Sequence, residues 1–98
     1  MSHPRHALDD LLVHAVRFSI VAALHEVEKA EFALVRDSVE ITDSTLSKQV
    51  ALLEAAGYVA VAKGRVGRRP RTGLSLPPEG AAGYRRHLAA LRAIAGTA

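Results

Sequence analysis

The chain has 98 residues, enough for one small domain, and 49% of them are apolar, the share of a folded globular protein rather than a disordered tail. It contains no cysteine, which excludes disulfides, thiolate zinc sites and thiol redox sensing together and fits a reducing, cytoplasmic setting. The net charge of +3 suits a polyanionic partner, while no run of about eighteen apolar residues is present to span a membrane and the opening MSHPRHALDD lacks the apolar core of a signal peptide.

Taken in order, residues 1–7, MSHPRHA, show no periodicity and are expected to be a flexible arm ahead of a single domain over 8–98. A first helix is expected over about 8–26, with Asp9 and Asp10 complementing its N-terminal dipole. Between Leu11 and Leu24 only His14, Arg17 and Ser19 interrupt the apolar residues. A helix covering only its own domain needs an apolar stripe of about 100°, so the surplus here implies a second buried contact, most simply with another copy of the chain. A second, shorter helix is expected over 30–39, with Phe32, Val35 and Val39 pointing inward, and the chain then turns at Glu40 and Ile41.

The stretch ITDSTLSKQVALLEAAG, residues 41–57, spells out a third helix over 42–56 with its start, buried face and stop. Thr42 is the N-cap, Asp43 and Ser44 fill the first turn with acceptors, and Gly57 supplies a left-handed stop. Leu46, Val50 and Leu53 step by four and three residues and must be buried together. The opposite face carries Ser44, Thr45, Ser47, Lys48 and Gln49, with no acid between Asp43 and Glu54. A helix facing only solvent would show mixed charges at salt-bridging spacing, whereas short hydrogen-bonding groups with one cation suit a polyanion's groove.

Downstream, YVAVAK over 58–63 and TGLSL over 72–76 read as two strands, with Leu74 and Leu76 on one face. Between them GRVGRRPR turns at Gly64 and Gly67, and Pro70 is expected to keep this loop out of a central strand. Lys63, Arg65, Arg68, Arg69 and Arg71 give +5 in nine residues with no acid, which leaves −2 for the rest of the chain. Basicity is thus concentrated at a hairpin tip able to reach phosphates or a narrow minor groove. After Pro77, a last helix is expected over 78–95, with Ala81, Tyr84, Leu88, Leu91 and Ala95 forming a pairing seam and Arg85, Arg86 and Arg92 lying off it.

This order of elements resembles the winged helix-turn-helix DNA-binding domains of MarR and ArsR type, and among them the short stand-alone transcriptional regulators. The resemblance rests on Phe32, Val35, Ile41, Thr42, Leu46, Ser47, Val50, Leu53, Glu54, Gly57, Tyr58 and Val59, on Arg68-Arg69-Pro70-Arg71-Thr72, and on Leu76-Pro77-Pro78-Glu79-Gly80, and it runs over roughly residues 8–95. Leu52 departs from it, standing where relatives tend to carry a polar residue; Val35 keeps an apolar position where Leu is commoner. The fold implied is mainly α with a small β-hairpin, in which the second helix crosses the DNA backbone and the third enters the major groove.

The expected DNA contacts are Thr42, Ser44, Thr45, Ser47, Lys48 and Gln49 from the third helix, with Gln suited to adenine and Lys to guanine, and Lys63, Arg65, Arg68, Arg69 and Arg71 from the wing. A homodimer is expected through Leu11, Ala15, Phe18, Tyr84, Leu88 and Leu91, setting two third helices about 34 Å apart on a pseudo-palindromic operator. Repression is the role the resemblance favours, with a small-molecule effector pocket between the first helix and the dimer seam as a compatible addition, and action at the nucleoid. No cofactor is expected. His25 and Glu28 are three apart but have no third ligand at metal-binding spacing, Asp9 and Asp10 lie on different helix sides, and neither Ser44 nor Ser47 has a histidine near it in sequence, so neither a metal site nor an enzyme is expected. The rival reading is a winged-helix protein-interaction module or an architectural nucleic-acid binder without sequence choice.

Overall fold

A computed structural model of the chain describes residues 2–96. Its elements are α1 (Ala15–Val27), β1 (Lys29–Glu31), α2 (Phe32–Val39), α3 (Asp43–Ala55), β2 (Ala60–Val66), β3 (Arg69–Ser75) and α4 (Pro78–Gly96), preceded by a single 3-10 turn over Pro4–Ala7 that lies against α4. The three strands form one antiparallel sheet in the order β1-β3-β2. This is the winged-helix α+β arrangement expected from the sequence.

α3 follows its sequence signals closely. Thr42 Oγ1 accepts a hydrogen bond from the Thr45 amide at 3.1 Å, Leu46, Val50 and Leu53 are all buried, and Gly57 sits at φ +80° just past the helix end. Around it the core gathers Leu12, Ile20, Val21 and Leu24 from the N-terminal third, Val35 from α2, Val59 from the approach to β2, and Leu74 from β3.

Four expectations are corrected. The first helix begins at Ala15, not near Leu8, because two side-chain caps interrupt the chain: Asp9 Oδ1 accepts from the Leu11 and Leu12 amides in a turn of its own, and His14, with extended backbone, accepts from the Arg17 amide and caps α1. The second helix begins at Phe32, since Lys29–Glu31 pair with β3 in the register Lys29↔Ser75, Ala30↔Leu74 and Glu31↔Gly73. The chain is turned into that strand by Glu28 at φ 68°. The hairpin strands run longer than expected, to Val66 and from Arg69, leaving a two-residue turn whose first position, Gly67, has φ +62°, the requirement of the II′ hairpin class. Pro70 lies within β3, opposite Arg65, although β3 is the central strand. There β3 has outrun β1 and has a free edge, the place where a sheet admits proline.

The start of α4 is fitted against Tyr58. A Cβ at Gly80 would collide with the Tyr58 carbonyl oxygen, and one at Gly83 would come within 3.0 Å of the Tyr58 ring. The same tyrosine donates from its hydroxyl to Asp9 Oδ2, while the Asp9 amide donates to Nδ1 of His87 at 2.9 Å. His87, 1% exposed, therefore ties the N-terminal turn to α4 as a neutral imidazole, and its ring also meets that of Phe18 at 5.4 Å between centroids. Burial pushes the His87 pKa below the ordinary value of 6.5, opposed by the nearby Asp9 carboxylate; the hydrogen bond to Asp9 raises that of Tyr58, which Arg86 opposes.

Two predictions follow from this packing. Glycine to alanine inside a solvated helix ordinarily stabilises by up to about 1 kcal/mol, but Gly80→Ala should lower stability by about 3 kcal/mol in urea unfolding, because neither helix nor carbonyl can withdraw without opening the core. His87 takes up its proton less readily folded than unfolded, so its contribution to stability is complete above 6.5 and is lost as pH falls below that value toward the folded pKa. Unfolding midpoints should drop between pH 7.5 and 5.5, and His87→Gln, which keeps a neutral acceptor for the Asp9 amide, should flatten that drop.

Candidate nucleic-acid interface

Burial of Leu46, Val50 and Leu53 fixes the rotation of α3 and leaves Ser44, Ser47 and Lys48 exposed on its free side, with Thr45 and Gln49 half-buried at the margin. Each remaining polar side chain has a defined state. The Thr42 hydroxyl, already the cap, also donates to Thr45 Oγ1 at 3.0 Å and lies 3.3 Å from Ser44 Oγ. Gln49 Oε1 accepts from Arg17 Nη1 at 3.0 Å, and Arg17 Nε donates to the Leu11 carbonyl at 2.7 Å. Asp43 accepts from Arg36 Nη1 at 2.8 Å, while Arg36 Nε reaches Asp37 at 2.8 Å. Arg17 and Arg36 were not singled out from sequence as parts of this surface. The available signal was that Arg17 is the one cation within the apolar run of α1.

The hairpin register sorts the wing cations by face. Paired residues of adjacent strands point to the same side, and the side alternates along each strand. Lys63, opposite Thr72, and Arg65, opposite Pro70, share the face of Val61 and the buried Leu74, which is the face turned toward α3. Lys63 indeed lines a groove with Ser47, Asp43 and Glu54 of α3. Arg69 and Arg71 occupy the other face, where Arg71 pairs with Glu31 of β1, and Arg68 stands in the turn beyond both. All five cations are exposed.

Of the residues expected at a dimer interface, Ala15 is exposed and Leu91 is 38% exposed, while Leu11 and Leu88 are half-buried. Phe18 and Tyr84 stack on each other within the chain, with ring centroids 5.6 Å apart, and His25 lies over Tyr84 at 4.5 Å. Leu52 is 46% exposed on α3. No helix among the described residues is long and apolar enough to cross a membrane.

An exposed polar helix on a helix-turn-helix thus stands beside a cationic β-hairpin. The sequence profile of a family described as winged helix DNA-binding domain matches residues 16–95. The chain belongs to that family. A transcriptional regulator homologue from Pyrococcus horikoshii OT3 is similar over 99% of this chain and 97% of its own, at 26% identity and a TM-score of 0.89. Bordetella bronchiseptica BpsR, whose DNA binding is regulated by 6-hydroxynicotinic acid, is 20% identical with a TM-score of 0.76 over 95% of this chain and 70% of its own. A MarR-family transcriptional regulator from Silicibacter pomeroyi is 22% identical with a TM-score of 0.70 over 97% of this chain and 63% of its own. The last two likenesses concern the fold alone. Comparison with curated proteins finds no match.

The wing geometry has a measurable consequence for this winged-helix DNA-binding domain. Each phosphate neutralised contributes about 0.9 to the slope of log affinity against log salt on duplex DNA. Arg68→Ala should reduce that slope by about 0.9, whereas Arg71→Ala should reduce it by less, since Glu31 already offsets the Arg71 charge.

Proposed function

We propose that this chain is a sequence-specific double-stranded DNA-binding transcriptional regulator that acts as a repressor, as a homodimer on a pseudo-palindromic operator. α3 enters the major groove, with Ser44, Thr45, Ser47, Lys48 and Gln49 facing the bases and Thr42 holding the helix start. The wing follows the backbone or minor groove through Lys63, Arg65, Arg68, Arg69 and Arg71. The observation that carries this reading is the shared groove of Ser47 and Lys63: the free face of α3 and the inner face of the wing open to one side of the molecule. A duplex could therefore engage both at once.

The dimer is supported by the apolar residues left exposed on α4 and the N-terminal segment, Leu91 at 38% and Val13 at 57%, and by the stability that pairing contributes to a domain of this size. Two copies would turn a weak half-site contact into a bivalent one. A small-molecule effector fits the groove between α1 and α4 lined by Leu24, His25, Glu28, Leu76 and Arg85, in keeping with the ligand-regulated DNA binding of BpsR. In this role the chain catalyses no reaction, needs no cofactor and works on chromosomal DNA in the cytoplasm.

The test is selection of a randomised duplex library by the purified protein, with the oligomeric state measured by sedimentation. Two-fold related half-sites and a dimer are expected, and Lys48→Ala should reduce selection at particular base positions. Retention of all sequences alike would overturn the reading in favour of an architectural binder, and retention of none would favour a protein-interaction module.

A further inference from the structure

The fixed acceptors on the outward face of α3 are each met by a donor from a neighbouring helix or residue. A guanidinium carries only donors, so the Gln49 atom that meets Arg17 Nη1 at 3.0 Å is necessarily the amide oxygen, and the NH2 group takes the other branch of the amide. Arg17 cannot easily give way, because its Nε is held by the Leu11 carbonyl at 2.7 Å. On the opposite margin, at the first residue of α3, Asp43 Oδ1 accepts from Arg36, itself anchored on Asp37, and the negative charge of that carboxylate is offset there. The Thr42 and Thr45 hydroxyls are joined to each other. Around Gln49, whose NH2 group takes no part in the hydrogen bond to Arg17, the neighbouring exposed side chains are the Lys48 ammonium, a donor, and the Ser44 and Ser47 hydroxyls, able to act either way.

Base edges in the major groove differ in what they offer such a surface. Guanine presents two acceptors, adenine one acceptor and one donor, cytosine a donor, and thymine one acceptor and a methyl group. A free glutamine favours adenine because it uses its oxygen and nitrogen together; with one lone pair of that oxygen taken by Arg17 of α1, the bond from the adenine amino group is weakened while donation from the NH2 group is not. A nearby guanidinium also repels the amino groups of adenine and cytosine. We propose that Arg17 is a positioning residue that makes Gln49 read chiefly as a donor, so that the base it meets is guanine and not the adenine its residue type suggests. This inference rests on the reading of α3 as the DNA-recognition helix.

The test is duplex selection with the full-length chain and three variants, Gln49→Ala, Arg17→Lys and Arg17→Met. The position read by Gln49 is the one whose preference disappears in Gln49→Ala. There the wild type should favour guanine over adenine by about tenfold, the size of one good side-chain-to-base match. Arg17→Lys, still a pure donor toward the amide oxygen, should keep guanine, and Arg17→Met should move the preference toward adenine while circular dichroism shows a folded chain. Adenine at that position in the wild type overturns the inference, as does a Gln49→Ala profile identical to the wild type or a folded Arg17→Met that still selects guanine. If Arg17→Met does not fold, the wild-type base and the Arg17→Lys profile decide alone. Wild-type protein that retains duplexes without base preference overturns the regulator reading as well, which separates the two failures.

Discussion

The burial of Leu46, Val50 and Leu53 is the constraint on which the rest of the molecule depends. The three are 0%, 5% and 0% exposed, and taking each such side chain out of water is worth about 1.5–3 kcal/mol. A turn of α3 by one residue, about 100°, would carry at least one of them into solvent and drive a polar neighbour such as Ser47 or Lys48 toward the core. That penalty is a large part of the whole stability of a 98-residue domain. The polar face is therefore aimed by the apolar one, and the groove shared by Ser47 and Lys63 exists because the core allows α3 only one rotation.

How much of this was legible in the sequence depended on whether a residue's signal was local. Thr42, Leu46, Val50, Leu53 and Gly57 each speak through spacing within one helix, and the structure bears out the helix they describe. The start of α1 was misjudged because Asp9 and His14 are caps whose purpose shows only with their partners: Asp9 is fixed by His87 and Tyr58, residues distant in sequence. The strand β1 has no periodicity of its own in Lys29-Ala30-Glu31 and exists because β3 lies beside it. Pro70 argues by residue type against a central strand, yet it lies within β3, because β1 does not reach that far along it. The clamps on Gln49 and Asp43 join α3 to α1 and α2, and helical spacing cannot reveal a contact between helices.

The unforeseen β1 also alters the electrostatics of the wing. The run from Lys63 to Arg71 reads as five equivalent cations, yet the hairpin distributes them over two faces and a tip, and Glu31 comes to rest beside Arg71. Both partners of that pair are about half exposed, so it adds little to stability. Its effect is on the field: it reduces the outer face of the wing and leaves Lys63 and Arg65, on the inner face, unopposed by any ion pair among the described residues. On that inner face Lys63 shares its groove with Asp43 and Glu54, so the cation nearest α3 meets acids across the groove while Arg65 lies further out along the strand.

The hinge between α2 and α3 shows which forces aim α3. Glu40 is held at φ 60° and ψ 52°, a left-handed conformation that costs a residue with a Cβ about 1–2 kcal/mol. Across this turn runs the Arg36–Asp43 bridge, but Asp43 is 70% exposed, and a pair so open to water contributes at most about 1 kcal/mol. Strain and bridge are thus comparable and opposed, and neither sets the angle between the helices. That angle is held by Val35 of α2 and Leu46 and Val50 of α3 in one core, with Ile41 packed against it from the turn. Charge substitutions at Arg36 or Asp43 can therefore alter the charge on the exposed face of α3 without redirecting the helix, which would require a change in the buried residues beneath it.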